Sequence, residues 1–371
     1  MKFIPQKGTI SICPASQPTR TLPLPYLRRM RFQVFIAALI LPAMLLAQGM
    51  SHQEKKVRKL LAKGKAYPAL RVATGALSHL EQPVFYGLRA AAWNTISEFE
   101  KAEADARTAV RLMPDSAVGL LQLAIAEQGL GRMDSAAAHL HAALGKGASE
   151  EARYRLAEVE RSRGDLPAAR ASILTALDET APENESRERF FRMQGELAAE
   201  AGDTALARSA FRQAIAMDPR DPVNYNSRGY WLEAANGRHA AAVADYDRAI
   251  KLNPNYSYAF NNRGWSHYKL GETDQALKDI QRARKRKVRN PYIYRNLGVI
   301  ALESGDTAKA CVNFRQALEL GFTAQHGDEV EKLVLANCGG TVEKPVVPVQ
   351  APKSNTDRNE DKPVPRTNAP E

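Results

Sequence analysis

The apolar and small positions of this chain return with a period near 34 residues. Between residues 222 and 321 one order is written three times: PVNYNSRGYWLEAANGRHAAAVADYDRAIKLNPNY, SYAFNNRGWSHYKLGETDQALKDIQRARKRKVRN and PYIYRNLGVIALESGDTAKACVNFRQALELG. Gly229, Gly264 and Gly298 mark the first small position, and Gly237, Gly271 and Gly305 the second. Alanines follow at Ala242, Ala276 and Ala310, and again at Ala249, Ala283 and Ala317. The large packers Tyr246, Ile280 and Phe314 stand just before the last of these. Small residues at fixed offsets within such a period predict paired helices, whose apolar stripes only neighbouring pairs can bury.

Weaker copies extend the frame towards the N-terminus. Their small positions are Gly64, Ala69 and Ala76; Ala90, Ala102 and Ala109; Ala124, Ala136 and Ala143; Ala157, Ala169 and Ala176; and Gly195, Ala207 and Ala214. The reading predicts about eight units, divergent over 48–187 and regular over 188–324. Glycine at the short turn takes the left-handed conformation that ends a helix, with Ser97 in its place in the second unit. Asp203 and Asp306, just past two of these glycines, are expected to cap the following helices. Pro114, Pro219 and Pro254 close units, since proline cannot continue a helix. One residue is inserted in the unit from 222, which moves Gly237 a place late. TAPENESRE, near 181–187, predicts a longer loop within a continuous array.

These positions resemble the tetratricopeptide repeat family. The matching residues are Tyr225, Gly229, Ala242, Tyr246, Ala249 and Pro254; Phe260, Gly264, Tyr268, Gly271, Ala276 and Ala283; and Tyr294, Leu297, Gly298, Gly305, Ala310, Phe314 and Ala317. The resemblance implies an all-α fold, a right-handed superhelical solenoid of antiparallel helix pairs. It also implies that the first helix of each pair lines a concave groove binding a protein or peptide segment.

The ends of the chain differ from the array. Arg28, Arg29 and Arg31 precede an uncharged, mostly apolar run from Phe32 to Ala47. A basic start, an apolar stretch and small residues predict a secretory signal within residues 1–47, with Met30 as an alternative start. The mature protein is then expected in the periplasm or outside the cell, with no integral membrane domain; an uncleaved anchor is the alternative. At the other end, 325–340 reads as a capping helix in which Asp328 caps and Val330, Leu333, Val334 and Leu335 form the apolar side. Residues 341–371 are rich in proline and lack aromatic residues, a composition that builds no packed core. Cys311 and Cys338 are expected to pair in an oxidising compartment, with two buried free thiols as the alternative. Secreted tetratricopeptide proteins of Bacteroidetes-like bacteria are similar here, with Ala-Cys in the last repeat and a cysteine ending the next helix.

Composition changes the picture little. At 44% hydrophobic and 25% charged the chain suits a soluble protein. Its net charge is +11, but Lys2, Lys7, Arg20, Arg28, Arg29 and Arg31 fall before residue 48, and the mild remainder gives no reason to expect nucleic acid. Histidines are scattered, and no metal, phosphate-loop or serine-elbow motif is present, so neither a cofactor nor an enzyme is expected. The fifth and sixth positions of the last three first helices carry Asn226, then Asn261 and Asn262, then Arg295 and Asn296. Asparagine both donates and accepts hydrogen bonds, so such a ladder suits a peptide backbone whatever its sequence. A frequent asparagine at a polar position is the plainer alternative. Arg282, Arg284, Lys285, Arg286, Lys287 and Arg289 crowd a helix end and the turn after it. Cations are favourable there. The remaining patch suits an anionic lipid, glycan or acidic partner in an envelope-maintenance role, the second function considered. Catalytic residues drawn from several repeats form the third and weakest.

Overall fold

A computed structural model describes residues 51–339, apart from 80, 149, 287, 288 and 324–326. The expected signal, the proline-rich tail and Lys287 lie outside the described residues. Every regular element described is helical. The first four pairs are α1 (Ser51–Ala62) with α2 (Ala66–Leu77), α3 (Pro83–Thr95) with α4 (Phe99–Leu112), α5 (Ala117–Gly129) with α6 (Met133–Gly145), and α7 (Glu150–Ser162) with α8 (Leu166–Glu179). The next are α9 (Arg187–Glu200) with α10 (Thr204–Met217), α11 (Pro222–Ser227, continued to Asn236) with α12 (His239–Leu252), α13 (Ser257–Lys269) with α14 (Thr273–Lys285), and α15 (Pro291–Glu303) with α16 (Thr307–Glu319). A short α17 (Glu329–Asn337) follows. The result is a solenoid of antiparallel helix pairs, about eight as the period predicts.

The small positions explain how the pairs close. Seven to nine residues into each first helix, and sixteen or seventeen further on, two residues face each other across the pair. They are Val57 and Ala73, Ala90 and Ala106, Ala124 and Leu140, Ala157 and Ile173, then Gly195 and Phe211, Gly229 and Tyr246, Gly264 and Ile280, and Gly298 and Phe314. Where the first member is glycine, the second is large, and a Cβ would meet it at once. Such an atom on Gly298 would lie 2.4 Å from Phe314, and one on Gly229 2.8 Å from Tyr246. No side chain fits there without moving its neighbour.

Turns follow the sequence closely. Ser97 has φ of +61°, so serine does carry the left-handed turn that glycine supplies elsewhere. Asp203 accepts from the Leu206 N–H at 3.0 Å and Asp306 from the Lys309 N–H at 3.0 Å. Each cap satisfies a donor left unpaired by the first turn, worth about 1 kcal/mol. The loop after α8 does not interrupt the stack, since α8 packs on α9. Asn184 and Ser186 tie it to Glu150 at 3.4 and 2.9 Å.

The C-terminal cover differs from expectation in two details. Asp328 precedes α17 but makes no side-chain cap; it pairs instead with Lys332 at 2.9 Å. Leu335 is 59% exposed, whereas Val330 and Val334 are buried and Leu333 packs half-buried beside them. Those two valines, with Phe322, close over Phe314, Ala317 and Leu318. The Cys311–Cys338 disulfide pins the cover to α16 across 27 residues, a constraint on the unfolded chain worth about 3 kcal/mol.

Candidate binding groove

First helices of successive pairs touch one another: α3 and α5, α5 and α7, α9 and α11, α11 and α13, α13 and α15. Second helices pack on the first helix of their own pair and, less extensively, on the first helix that follows. The first helices therefore crowd along one side, which makes that side the inner face.

The inserted residue alters this face in the sixth pair. α11 is α-helical only over Pro222–Ser227, becomes a π-helical turn at Arg228–Glu233, and ends in a 3₁₀ turn at Ala234–Asn236. The extra residue is thus absorbed inside the helix, ahead of the turn at Gly237. A π turn of this kind widens the helix and is frequent at functional sites. It carries Gly229 against Tyr246, while Tyr230 is 40% exposed beside Trp231, ring centroids 5.0 Å apart. The guanidinium of Arg161 lies 4.5 Å over the Trp231 ring.

The five groove residues expected from sequence come together in a single hydrogen-bonded line. Arg295 Nη1 donates to Asn296 Oδ1 at 3.1 Å, and Asn296 Nδ2 to Asn261 Oδ1 at 3.1 Å. Asn261 Nδ2 donates to Asn262 Oδ1 at 3.3 Å, and Asn262 Nδ2 to Asn226 Oδ1 at 3.1 Å. All four amides point the same way, from the cation towards Asn226. Such a chain polarises its members. Each amide oxygen already has a donor, whereas each amide nitrogen has a second hydrogen and Asn226 Nδ2 ends the line. The face therefore offers donors more than acceptors. Asn261 and Asn296 are buried, at 2% and 3% exposure, while Asn226 and Asn262 are half-buried and reach the surface. The two buried amides join the repeats, and the other two face what lies in front of them.

Aromatic rings and cations frame this line. Arg295 stacks on Trp265 with its guanidinium 4.4 Å from the ring centre, and Lys269 lies 5.0 Å from the same ring. Arg295 also pairs with Glu329 of α17, so the cover reaches the groove. Tyr268 lies 5.1 Å from Trp265, and burial, with the Glu303 carboxylate, pushes its hydroxyl up to about 12. Burial likewise raises Tyr292. These phenols stay protonated at neutral pH and keep their donors.

In three pairs an arginine at the seventh position of the first helix reaches an aspartate on its partner helix. Arg89 pairs with Asp105 at 2.6 Å and Arg263 with Asp279 at 2.7 Å, and Arg228 pairs with Asp245 in the same way. The sequence signal was there, an Arg followed sixteen or seventeen residues later by Asp, but it is hidden among many other charges. A denser set joins α7, α9 and α11. Arg192, 3% exposed, is held by Glu188, by Asp221 at 3.3 Å and by Asn224 at 2.9 Å.

The basic patch remains outside these networks. Arg282, Arg284, Lys285, Arg286 and Arg289 are exposed around the end of α14, where Arg286 donates to the Pro254 carbonyl at 3.3 Å. Histidines stay apart: His139 contacts Glu127 at 2.7 Å, His267 contacts Glu272 at 2.5 Å, and His239 lies 3.4 Å from Ser266. Among the described residues no group of three or more His, Cys, Asp or Glu is placed to hold a metal ion, and no helix is long and apolar enough to cross a membrane.

Comparison with known proteins agrees with this architecture. A profile for the TPR repeat matches residues 232–271, and one for the tetratricopeptide repeat matches 121–185 and 261–321. Among solved structures, a tetratricopeptide repeat protein from Parabacteroides merdae ATCC 43184 aligns with a TM-score of 0.56 at 16% identity, covering 68% of this chain and 96% of that one. A chain of the APC/C hetero-tetramer Cut9-Hcn1 gives a TM-score of 0.56 at 16% identity over 76% of this chain. The present chain spans 54% of that chain's length. IFIT1 with m7Gppp-AAAA gives 0.56 at 14% identity, covering 73% of this chain and 69% of its own. At these identities the likeness is one of fold.

Proposed function

We propose that this chain, a tetratricopeptide-repeat protein, is a non-enzymatic scaffold that holds an extended segment of another protein along the inner face of residues 222–321. The observation that carries the proposal is the one-way line of amides from Arg295 to Asn226. Its spare donors suit main-chain carbonyls, which every peptide offers at regular spacing, and Tyr230 supplies an exposed ring beside them. The place of action is the cell envelope, periplasmic or secreted. The apolar run 32–47 behind a basic start supports this, as does the disulfide, which persists in oxidising compartments.

The two halves of the amide line separate under mutation. Asn226→Ala with Asn262→Ala removes half-exposed donors and is expected to abolish recovery of a specific envelope protein, with a fall in melting temperature no larger than that of Asn296→Ala, since it leaves the Asn261 amide nitrogen without its acceptor. Asn296→Ala unpairs the buried Asn261 oxygen and is expected to cost about 1–3 kcal/mol of stability. Retention of the partner by the first double variant, at wild-type affinity, would remove the groove from the account. The patch at Arg282, Arg284, Lys285, Arg286, Lys287 and Arg289 gives the second reading, envelope maintenance through an anionic ligand. It is favoured if binding fails only when those cations are neutralised.

A further inference from the structure

The first helix pair carries a charge pattern that the groove does not use. Only one side of α1 is buried: Val57 is fully covered, with Leu60 and Leu61 packed beside it on α2. An end unit needs a polar outer face. Solubility asks there for polarity, and it does not ask for one sign of charge. Yet Lys55, Lys56, Arg58, Lys59, Lys63, Lys65 and Arg71 are all exposed, and from residue 51 to 95 the carboxylates are Glu54 and Glu81. Glu54 is taken by Arg58 at 2.7 Å. None of the five lysines pairs with a carboxylate among the described residues.

The arrangement has a direction. Lys55 and Lys59 lie one helical turn apart on the side away from Val57, with Lys56 beside them. Lys63 and Lys65 bracket the turn into α2, and Tyr67 follows at 70% exposure, with Pro68 and Arg71 also exposed. We infer that this face docks on an anionic phospholipid surface. Two features favour a bilayer over a soluble polyanion. Five of the seven cations are lysine, a hydrated point charge suited to a smeared field, where paired phosphate recognition would use arginine. Tyr67, the most exposed aromatic ring among the described residues, stands just after Lys65 at the start of α2, and tyrosine settles at the level where headgroups meet acyl chains. In the 282–289 patch arginine dominates instead.

The test is vesicle binding by the chain as the cell processes it, using phosphatidylcholine alone and with 30% phosphatidylglycerol. The readout is the ratio of the two affinities at about 0.1 M salt. The ratio is expected to favour the anionic vesicles and to fall about fivefold per lysine neutralised, hence roughly 25-fold for Lys55→Gln with Lys59→Gln. Both lysines are exposed, so unchanged melting is expected and guards against misfolding. Tyr67→Ser should weaken anionic-vesicle binding severalfold without altering its salt dependence, and Lys309→Gln with Arg315→Gln, exposed cations on α16, should leave the ratio intact. Equal affinity for both vesicles, or a ratio untouched by the lysine changes, would overturn the inference. So would heparin binding more tightly than the vesicles with no effect of Tyr67→Ser, which would assign the face to a soluble polyanion.

Discussion

The second to fourth helix pairs and the last four solve one packing problem with opposite choices. Early on, alanine stands on the first helix and an aliphatic residue or alanine faces it: Ala90 with Ala106, Ala124 with Leu140, Ala157 with Ile173, all fully buried. Later, glycine stands there and the facing residue is usually aromatic, as with Gly195 and Phe211 or Gly298 and Phe314. In the glycine pairs the bulk lies almost wholly on the second helix, and in the alanine pairs it is divided between the two. The difference lies in tolerance. An alanine–leucine contact can relax by small shifts, whereas a ring pressed on bare backbone has no slack. The regular end of the array is thus the tightly specified one, and the same pairs carry the amide line and the π turn.

That contrast can be broken most strongly at the rings. Phe314→Ala is expected to cost about 4 kcal/mol, since it opens a cavity under the cover, and Leu140→Ala about 3 kcal/mol. Denaturant unfolding measures both. A smaller effect sharpens the comparison at the glycines. Gly298→Ala places a Cβ 2.4 Å from Phe314 and is expected to destabilise by about 2 kcal/mol despite alanine's better helix propensity. Adding Phe314→Leu should recover part of that loss, a non-additive pair in a double-mutant cycle. The reverse change, Ala124→Gly, has no ring to relieve and should cost about 1 kcal/mol.

The smallest effect concerns pH. Burial, helped by the nearby Lys269 charge, lowers the His239 pKa below its ordinary value of 6.5. A histidine lowered on folding takes up its proton first in the unfolded chain. Its contribution is therefore complete above about pH 6.5 and is lost as pH falls below that value. Melting scans between pH 7.5 and 5.5 should show a shallow decline that His239→Gln flattens. The raised Asp245, dominated by burial against its Arg228 contact, acts in the opposite sense, since lower pH favours its protonated folded form.

Much of this was legible in the sequence because it depends on local spacing. The period, the facing small and large positions, the Asp203 and Asp306 caps and the closeness of Cys311 to Cys338 all follow from where residues fall on short helices. Other features depend on register between helices. Asn262 and Asn296 occupy equivalent positions, but Asn296 reaches Asn261 instead, because neighbouring first helices are offset by about one residue at the contact. The inserted residue was visible as a late Gly237, and a count cannot show that a helix would take it up as a π turn. Leu335 looked apolar and therefore inward; a helix of nine residues has room for few inward positions.

In the proposed function a partner lies on the inner face of the last three repeats. Site-specific photo-crosslinking tests this placement most directly, with the reactive residue placed at Tyr230 on the inner face or at Lys278 on α14. One defined adduct is expected from Tyr230, lost in the Asn226→Ala, Asn262→Ala background, and none from Lys278. The same adduct from Lys278, or one from Tyr230 that persists without those two amides, would contradict that placement.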